Sequence, residues 1–423
     1  MPDRDLRRSE MLLGLQEDVG IPTVPDTGRI VESAPLKEPH TPGEWIKLNL
    51  FSSVTNGIVT VAAGAILAWI VVQLVDFVFI DGDWEVIRAN IRGYMVGKFP
   101  PEQLWRVWAC AYLVAVLAGY SLGTRRKGFR LTRGRVVTAL IASAGAILIV
   151  GFTAQTALVR ALVAGIPVAV VGAGLVGWAI GPRYRRSLLA LWIISFPVML
   201  VVIRGFGGVP PRLWGGFFFN IMAAIVGIFA SFPIGIALAV GRRSELPAVR
   251  GFSVVVIEVF RGVPLVAWLI FSKFVLDLLL PPQLDLPDIV KALVMMTLFS
   301  AAYVAEIVRG GLQGIPEGQY DAGRALGLSR TRMMAFVILP QALRSTIPAM
   351  ISHFISLFKD TSLFSAIQWT DLLRAAQRSA TNLQFLGQDA QTLAFAGLVF
   401  WIVAFSMSRW SQRLEVRLGV GER

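Results

Sequence analysis

Beyond residue 50 the chain is dominated by long runs of Val, Ile, Leu, Ala, Phe and Gly. They recur near 51–80, 104–123, 136–154, 162–181, 187–205, 214–240, 252–280, 289–308, 346–364 and 390–408, separated by polar connections. About 20 apolar residues in a helix cross a hydrocarbon core roughly 30 Å thick, and a helix satisfies its own backbone polar groups in lipid. The pattern predicts an all-α integral membrane protein with about ten transmembrane helices. Residues 1–50 differ: they are polar, carry Pro22, Pro25, Pro35, Pro39 and Pro42, and lack the apolar segment of a secretory signal. They read as a polar cytoplasmic tail with no cleaved leader.

One polar stretch departs from the pattern of short connections. Tyr320 to Arg344, "YDAGRALGLSRTRMMAFVILPQALR", holds one aspartate, four arginines, two glycines and a proline between two apolar runs. Ala322, Ala325, Leu326 and Leu328 give a short helix an apolar stripe, and Gly327 can end it in a left-handed turn at little steric cost. A second helical pattern runs from Thr331 to Leu339, where Pro340 is expected to stop it before the membrane. A short amphipathic helix outside the bilayer needs a surface to bury against, and a soluble partner supplies one.

Composition agrees with a membrane protein: 55% of the 423 residues are hydrophobic and 16% charged, with a mean hydropathy of +0.65, whereas soluble domains are about a quarter charged. The net charge of +13 then speaks first to orientation. With the N-terminus inside, the inner segments hold Arg125, Arg126, Lys127, Arg130, Arg133 and Arg135; Arg183, Arg185 and Arg186; Arg242, Arg243 and Arg250; and Arg324, Arg330, Arg332 and Arg344. One of the alternate loops holds Arg160 alone and another, Pro281 to Asp288, has no Lys or Arg. Ten helices with both termini cytoplasmic satisfy this charge bias.

Little in the chain points to catalysis. Cys110 is the single cysteine, and His40 and His353 are isolated, so no metal site is expected; His353 reads as a packing or hydrogen-bonding residue. "GAGLVG" (Gly172–Gly177) has dinucleotide-binding spacing but falls in mid-span with Arg183–Arg186 downstream, where the motif needs a preceding strand and a later acid. Small residues there fit close helix packing instead. No Walker A pattern occurs, so the chain should not bind or hydrolyse ATP.

The polar stretch resembles a known pattern. Asp321-Ala322-Gly323, three residues, Gly327, nine residues, Val337, one residue and Leu339-Pro340 matches the spacing of the "EAA" loop of ABC importer permeases, with Asp321, Gly323 and Val337 standing for Glu, Ala and Ile. "EVFRGVPL" (Glu258–Leu265), "YVAEIVRGGLQGIPEGQ" (Tyr303–Gln319) and "FKDTSLFSAI" (Phe358–Ile367) resemble the polar amino-acid (histidine-permease-like) subunits of binding-protein-dependent importers. The likeness covers about Leu213 to Gln412, and a long N-terminal extension is similar to that of the larger permease of general L-amino-acid importers.

The resemblance implies a type I permease bundle over 213–412 with a coupling loop at 309–345, preceded by five extra helices over 51–206 and followed by a cytoplasmic tail at 413–423. It implies location in the bacterial inner membrane. It also implies a second permease, two ATPase subunits that hold the ATP and Mg, and a periplasmic amino-acid-binding protein. The loop residues expected to meet the ATPase are Glu317, Tyr320, Asp321, Ala322, Gly323, Ala325, Leu326, Gly327, Leu339 and Pro340.

Charges inside spans usually face a cavity or a partner. Lys359 and Asp360 stand roughly 20 Å along their span and point about 100° apart, so together they could meet the carboxylate and ammonium of a zwitterion. Pairing of each with another helix is an equal alternative. Thr361 and Ser362 adjoin them, and Glu258 and Arg261, before Pro264, are candidates for the inner end of the pathway. Lys273 and Asp277 have the spacing of an intrahelical pair, and Lys291 can snorkel. A channel or secondary transporter for small polar solutes would leave the loop unexplained. A membrane enzyme would need a polar catalytic cluster, and none is found.

Overall fold

The computed structural model describes residues 41–124, 156–184, 187–281, 283–284 and 286–418. The predicted span at 136–154, residues 1–40 and the arginine-rich segment 125–135 lie outside them. Among the described residues the secondary structure is helical apart from one isolated bridge, Gly216 with Asp371.

Two units are distinguished, the first ending at Gly82. It contains α1 (Pro42–Leu50) and α2 (Val54–Val75). Residues 42–50, assigned to the polar tail, are thus helical: Thr41 and Glu44 form a reciprocal capping box, and Pro42 occupies the first turn, where its missing N–H costs nothing. The 22 residues of α2 continue through a π turn to Ile80, and none of them is buried.

The second unit begins with α3 (Glu85–Val96), α4 (Leu104–Gly123), α5 (Ala157–Tyr184) and α6 (Leu188–Arg204). Tyr112 Oη donates to the Leu162 carbonyl at 2.7 Å, and a Cβ on Gly123 would overlap the Gly174 carbonyl. Contacts advance together along both helices, so α4 and α5 run parallel, the relation predicted for the second and fourth spans. Gly177 likewise abuts the Tyr120 carbonyl. The "GAGLVG" glycines therefore belong to a helix, and Gly177, with Gly123 on α4, permits this close approach. α6 runs antiparallel to α4: Trp192 Nε1 donates to Ser121 Oγ at 3.0 Å. At the other end the buried Arg106 donates to the carbonyls of Val202, Gly205 and Phe206, completing the C-terminus of α6 with a cation.

The remaining helices are α7 (Gly216–Gly241), α8 (Pro247–Gly262), α9 (Leu265–Phe274), α10 (Leu276–Leu279), α11 (Asp288–Gln313), α12 (Glu317–Ala325), α13 (Arg330–Met333), α14 (Leu339–Asp360), α15 (Leu372–Ala380) and α16 (Asp389–Leu418). α7 and α11 lie parallel at the centre, with Gly235 letting Val304 and Ala301 approach. Phe219, Met222, Ala223, Leu269, Met296, Leu357 and Phe364 fill one core cluster. A second joins Leu238, Ala239, Ile257, Val304, Val308, Met333 and Ile338. α14 runs antiparallel to α11, and where they meet His353 Nε2 lies 2.9 Å from Ser300 Oγ, which donates to Ser231 Oγ on α7 at 3.0 Å.

Among the described residues seven helices are long and apolar enough to cross a membrane: Val54–Ile80, Pro101–Gly123, Ala157–Ile180, Gly216–Gly241, Asp288–Gln313, Arg330–Ile367 and Asp389–Gln412. Ala190–Arg204 is a shorter apolar helix. The predicted span 252–280 is not straight: α8 and α9 meet at 100°. Pro264 forces its predecessor Val263 into the extended region (φ −124°, ψ 136°) and ends α8.

Candidate functional site

The polar stretch folds as an ordered helix–turn–helix. α12 ends at Gly327, whose φ is +69°. Leu328 N–H donates to the Gly323 carbonyl at 3.1 Å and Gly327 N–H to that of Arg324 at 2.9 Å, the two bonds of a Schellman turn. Ser329 caps α13 through the Arg332 N–H. Gly323 is buried against Met333. Ala322, Ala325 and Leu326, at i, i+3, i+4 spacing, are exposed, Leu326 to 79%, as is Phe336 to 78%. Asp321 pairs with Arg324 on the surface, Glu317 is exposed and Tyr320 half-buried.

Pro340 does not stop the second helix. It sits in the first turn of α14, where no N–H is needed, and α13, a π turn over Met334–Ile338 and α14 form one rod continuing to Ile367. Leu339 is half-buried on it and Pro340 exposed.

Along α14, Gln341, Ser345, Ser352, Ser356 and Lys359 recur at helical spacing and are exposed. Lys359 joins Ser352, Ile355, Ser356, Trp401, Ala404, Phe405 and Ser408 in an open groove of about 330 Å³ between α14 and α16. Among the described residues neither Lys359 nor Asp360 forms an ion pair, and Asp360 and Ser362 are partly buried. Thr361 is placed differently from expectation: it is fully buried, accepts from Asn220 Nδ2 at 3.0 Å and donates to the Phe358 carbonyl. It holds the end of α14 and is not exposed to the groove.

Asn220, on α7, gave no signal in the sequence, because its partners lie about 140 and 150 residues away. Its side chain also reaches the Asp371 carboxylate at 3.4 Å and accepts from the Leu372 N–H at 3.0 Å. Asp371 caps α15 through the N–H groups of Leu373 and Arg374. It is fully buried, and that burial pushes its carboxyl up to about 6 against the opposing pull of these hydrogen bonds.

Glu258 and Arg261 belong to a hub that was also missed. Its centre is Glu306 on α11, which accepts from Arg309 Nε at 2.8 Å and pairs with Arg261 at 3.3 Å and Arg242 at 3.5 Å; Arg242 further pairs with Glu258 at 3.1 Å. The motif "YVAEIVRGG" contained Glu306 and Arg309 at i,i+3, the one legible hint. Two expected pairings are corrected. Lys273 and Asp277 fall on either side of the break at Val275; Lys273 donates to the Ile367 carbonyl, and Asp277 pairs with Lys291. Lys291 does not snorkel: it is 2% exposed, held by Asp277 and by Asp288 at 2.8 Å. Among the described residues no three His, Cys, Asp or Glu side chains converge on one point.

Seven helices long and apolar enough to cross a membrane among the described residues, with an ordered amphipathic element outside them, define a multi-pass membrane protein. Residues 231–420 match the family model of the binding-protein-dependent transport system inner membrane component. The inner membrane amino-acid ABC transporter permease protein YhdY of Escherichia coli is 32% identical over 89% of this chain and 93% of its own. The glutamate/glutamine/aspartate/asparagine transport system permease protein BztC of Rhodobacter capsulatus is 31% identical with the same coverage. A crystal structure of an amino acid ABC transporter with histidines superposes with TM-score 0.43 at 25% identity over 48% of this chain and 92% of that one. The chain belongs to this family and is an ABC-transporter permease.

Proposed function

We propose that the chain is the permease subunit of an ATP-driven amino-acid importer, forming the translocation pathway with a second permease. The observation that carries this reading is α12: a helix outside the spans, closed at its C-terminus by the Gly327 turn, whose Ala322, Ala325 and Leu326 are bare in the single chain, as is Phe336 on the following turn. Exposed apolar area at an ordered element fits a docking surface, and two ATPase subunits carrying ATP and Mg are the partners we assign to it. A periplasmic amino-acid-binding protein delivers the substrate at the opposite end. Both termini are cytoplasmic in this reading.

The polar stripe of α14 supports a pathway role, since polar side chains within a span are costly against lipid and face water or protein. Lys359 and Asp360 meet the charged ends of the amino acid, Ser362 adjoins them, and Thr361 fixes the helix end that carries them. A channel or secondary transporter would leave α12 without a purpose. Purification in mild detergent with mass spectrometry of the co-purifying chains tests the reading: an ATPase and a second permease are expected, and recovery of this chain alone as a functional unit contradicts it.

A further inference from the structure

The corner between α7 and α8 carries two adjacent arginines with different partners. Arg242 reaches inward to Glu258 and Glu306, beside the bent pair α8–α9. Arg243 turns the other way, and its Nη1 donates to Tyr320 Oη on α12 at 2.9 Å. Two residues on, Glu245 pairs with Arg330 at the start of α13, and Arg330 Nη2 donates to the Arg243 carbonyl at 3.4 Å. The corner thus holds the helix–turn–helix on both sides of Gly327. Beneath these bonds Tyr320, Leu328 and Met333 share an apolar cluster with Leu238, Ala239 and Ile257.

Covalently, α12 joins the bundle only through Gly314–Pro316 to α11 and through the Gly327 turn to the α13–α14 rod. Neither route enters α8–α9 through the backbone, although α11 meets α8 across the Glu306–Arg261 pair. We infer that the α7–α8 corner is a clasp that carries displacement of α12 to the bent pair, with Arg243, Glu245 and Arg330 as positioning residues for coupling. This rests on α12 being the ATPase-docked element. Exposed ion pairs add little to stability, so the clasp sets relative position and the fold does not depend on it.

The test reconstitutes the whole complex with its binding protein in proteoliposomes and uses a mixture of radiolabelled L-amino acids as probe. Uptake and ATP hydrolysis are measured per assembled complex. Glu245→Arg alone and Arg330→Glu alone each set like charges across the clasp. Each should lower uptake per ATP hydrolysed by about fivefold or more, the lower end of usual coupling factors, with hydrolysis retained. The double swap should restore the wild-type ratio. Unchanged ratios in the single variants overturn the clasp, as does a double swap that fails to restore. Should a single variant not assemble, Arg243→Met removes the donor to Tyr320 from outside the ATPase-facing loop: a lowered ratio supports the clasp and an unchanged one overturns it. Gly327→Asp separates the two layers. If it abolishes uptake while the swaps have no effect, only the clasp fails; if uptake survives it, the coupling reading itself fails.

Discussion

Gly327 stands at φ +69° with open space where a Cβ would project. A Cβ there meets no neighbour among the described residues and costs about 1–2 kcal/mol of backbone strain. Membrane insertion of Gly327→Asp should therefore be normal, while the added charge and bulk abolish ATP-driven uptake by spoiling the fit to the ATPase; normal uptake at wild-type protein levels would count against docking at α12. Lys359 and Asp360, which form no ion pair among the described residues, are tested by Lys359→Met and Asp360→Asn. Uptake per assembled complex should fall with assembly unchanged, whereas full uptake per complex with reduced yield would remove both from the pathway. Asp371 supplies a pH dependence. Its carboxyl ionises near the ordinary 3.8 when unfolded and near about 6 when folded, so the folded state holds more protons in between, and stability falls as pH rises through that window. The full gap is worth about 3 kcal/mol. Asp371→Asn, which mimics the neutral form, should melt with the wild type near pH 4 and above it at pH 7; equal melting at both would refute the assignment.

At the scale of elements, what was legible followed from local pattern. Hydropathy marked the spans, and Gly327 after an apolar stripe marked the end of α12. Pro340 was misread because a proline that ends one helix and one that opens the next look alike in sequence; only the rod beneath it tells them apart. The Pro264 break was visible, its 100° angle was not, because packing of α9 against α11 sets it. The hub at Glu306 and the knot of Asn220, Thr361 and Asp371 join residues far apart in the chain, and no periodicity reports such pairs. The parallel pairs α4–α5 and α7–α11 agree with strict alternation of span direction. Reporter fusions at Arg243 and Arg330 should accordingly read cytoplasm, and fusions at Gly93, Gly208 and Leu383 periplasm; one inverted signal would mean a span has been split or merged.

At the scale of the molecule, α3, α4 and α6 of the second unit pack against the helices that follow Gly216. Val86, Ile87 and Tyr94 share a core with Leu372, Ala376 and Phe385, Gln388 donates to Asp83 at 2.9 Å, and Gly97 lies against Gly215 where any side chain would collide. α3 thus gathers the ends of α7, α15 and α16, a contact the sequence did not reveal because α3 lies between predicted spans. Under the proposed function, this permease moves amino acids only when driven through α12. The most direct measurement is amino-acid flux into proteoliposomes holding the complete complex, with and without ATP and the binding protein. Accumulation that requires both is the predicted result; equal flux without ATP would contradict it.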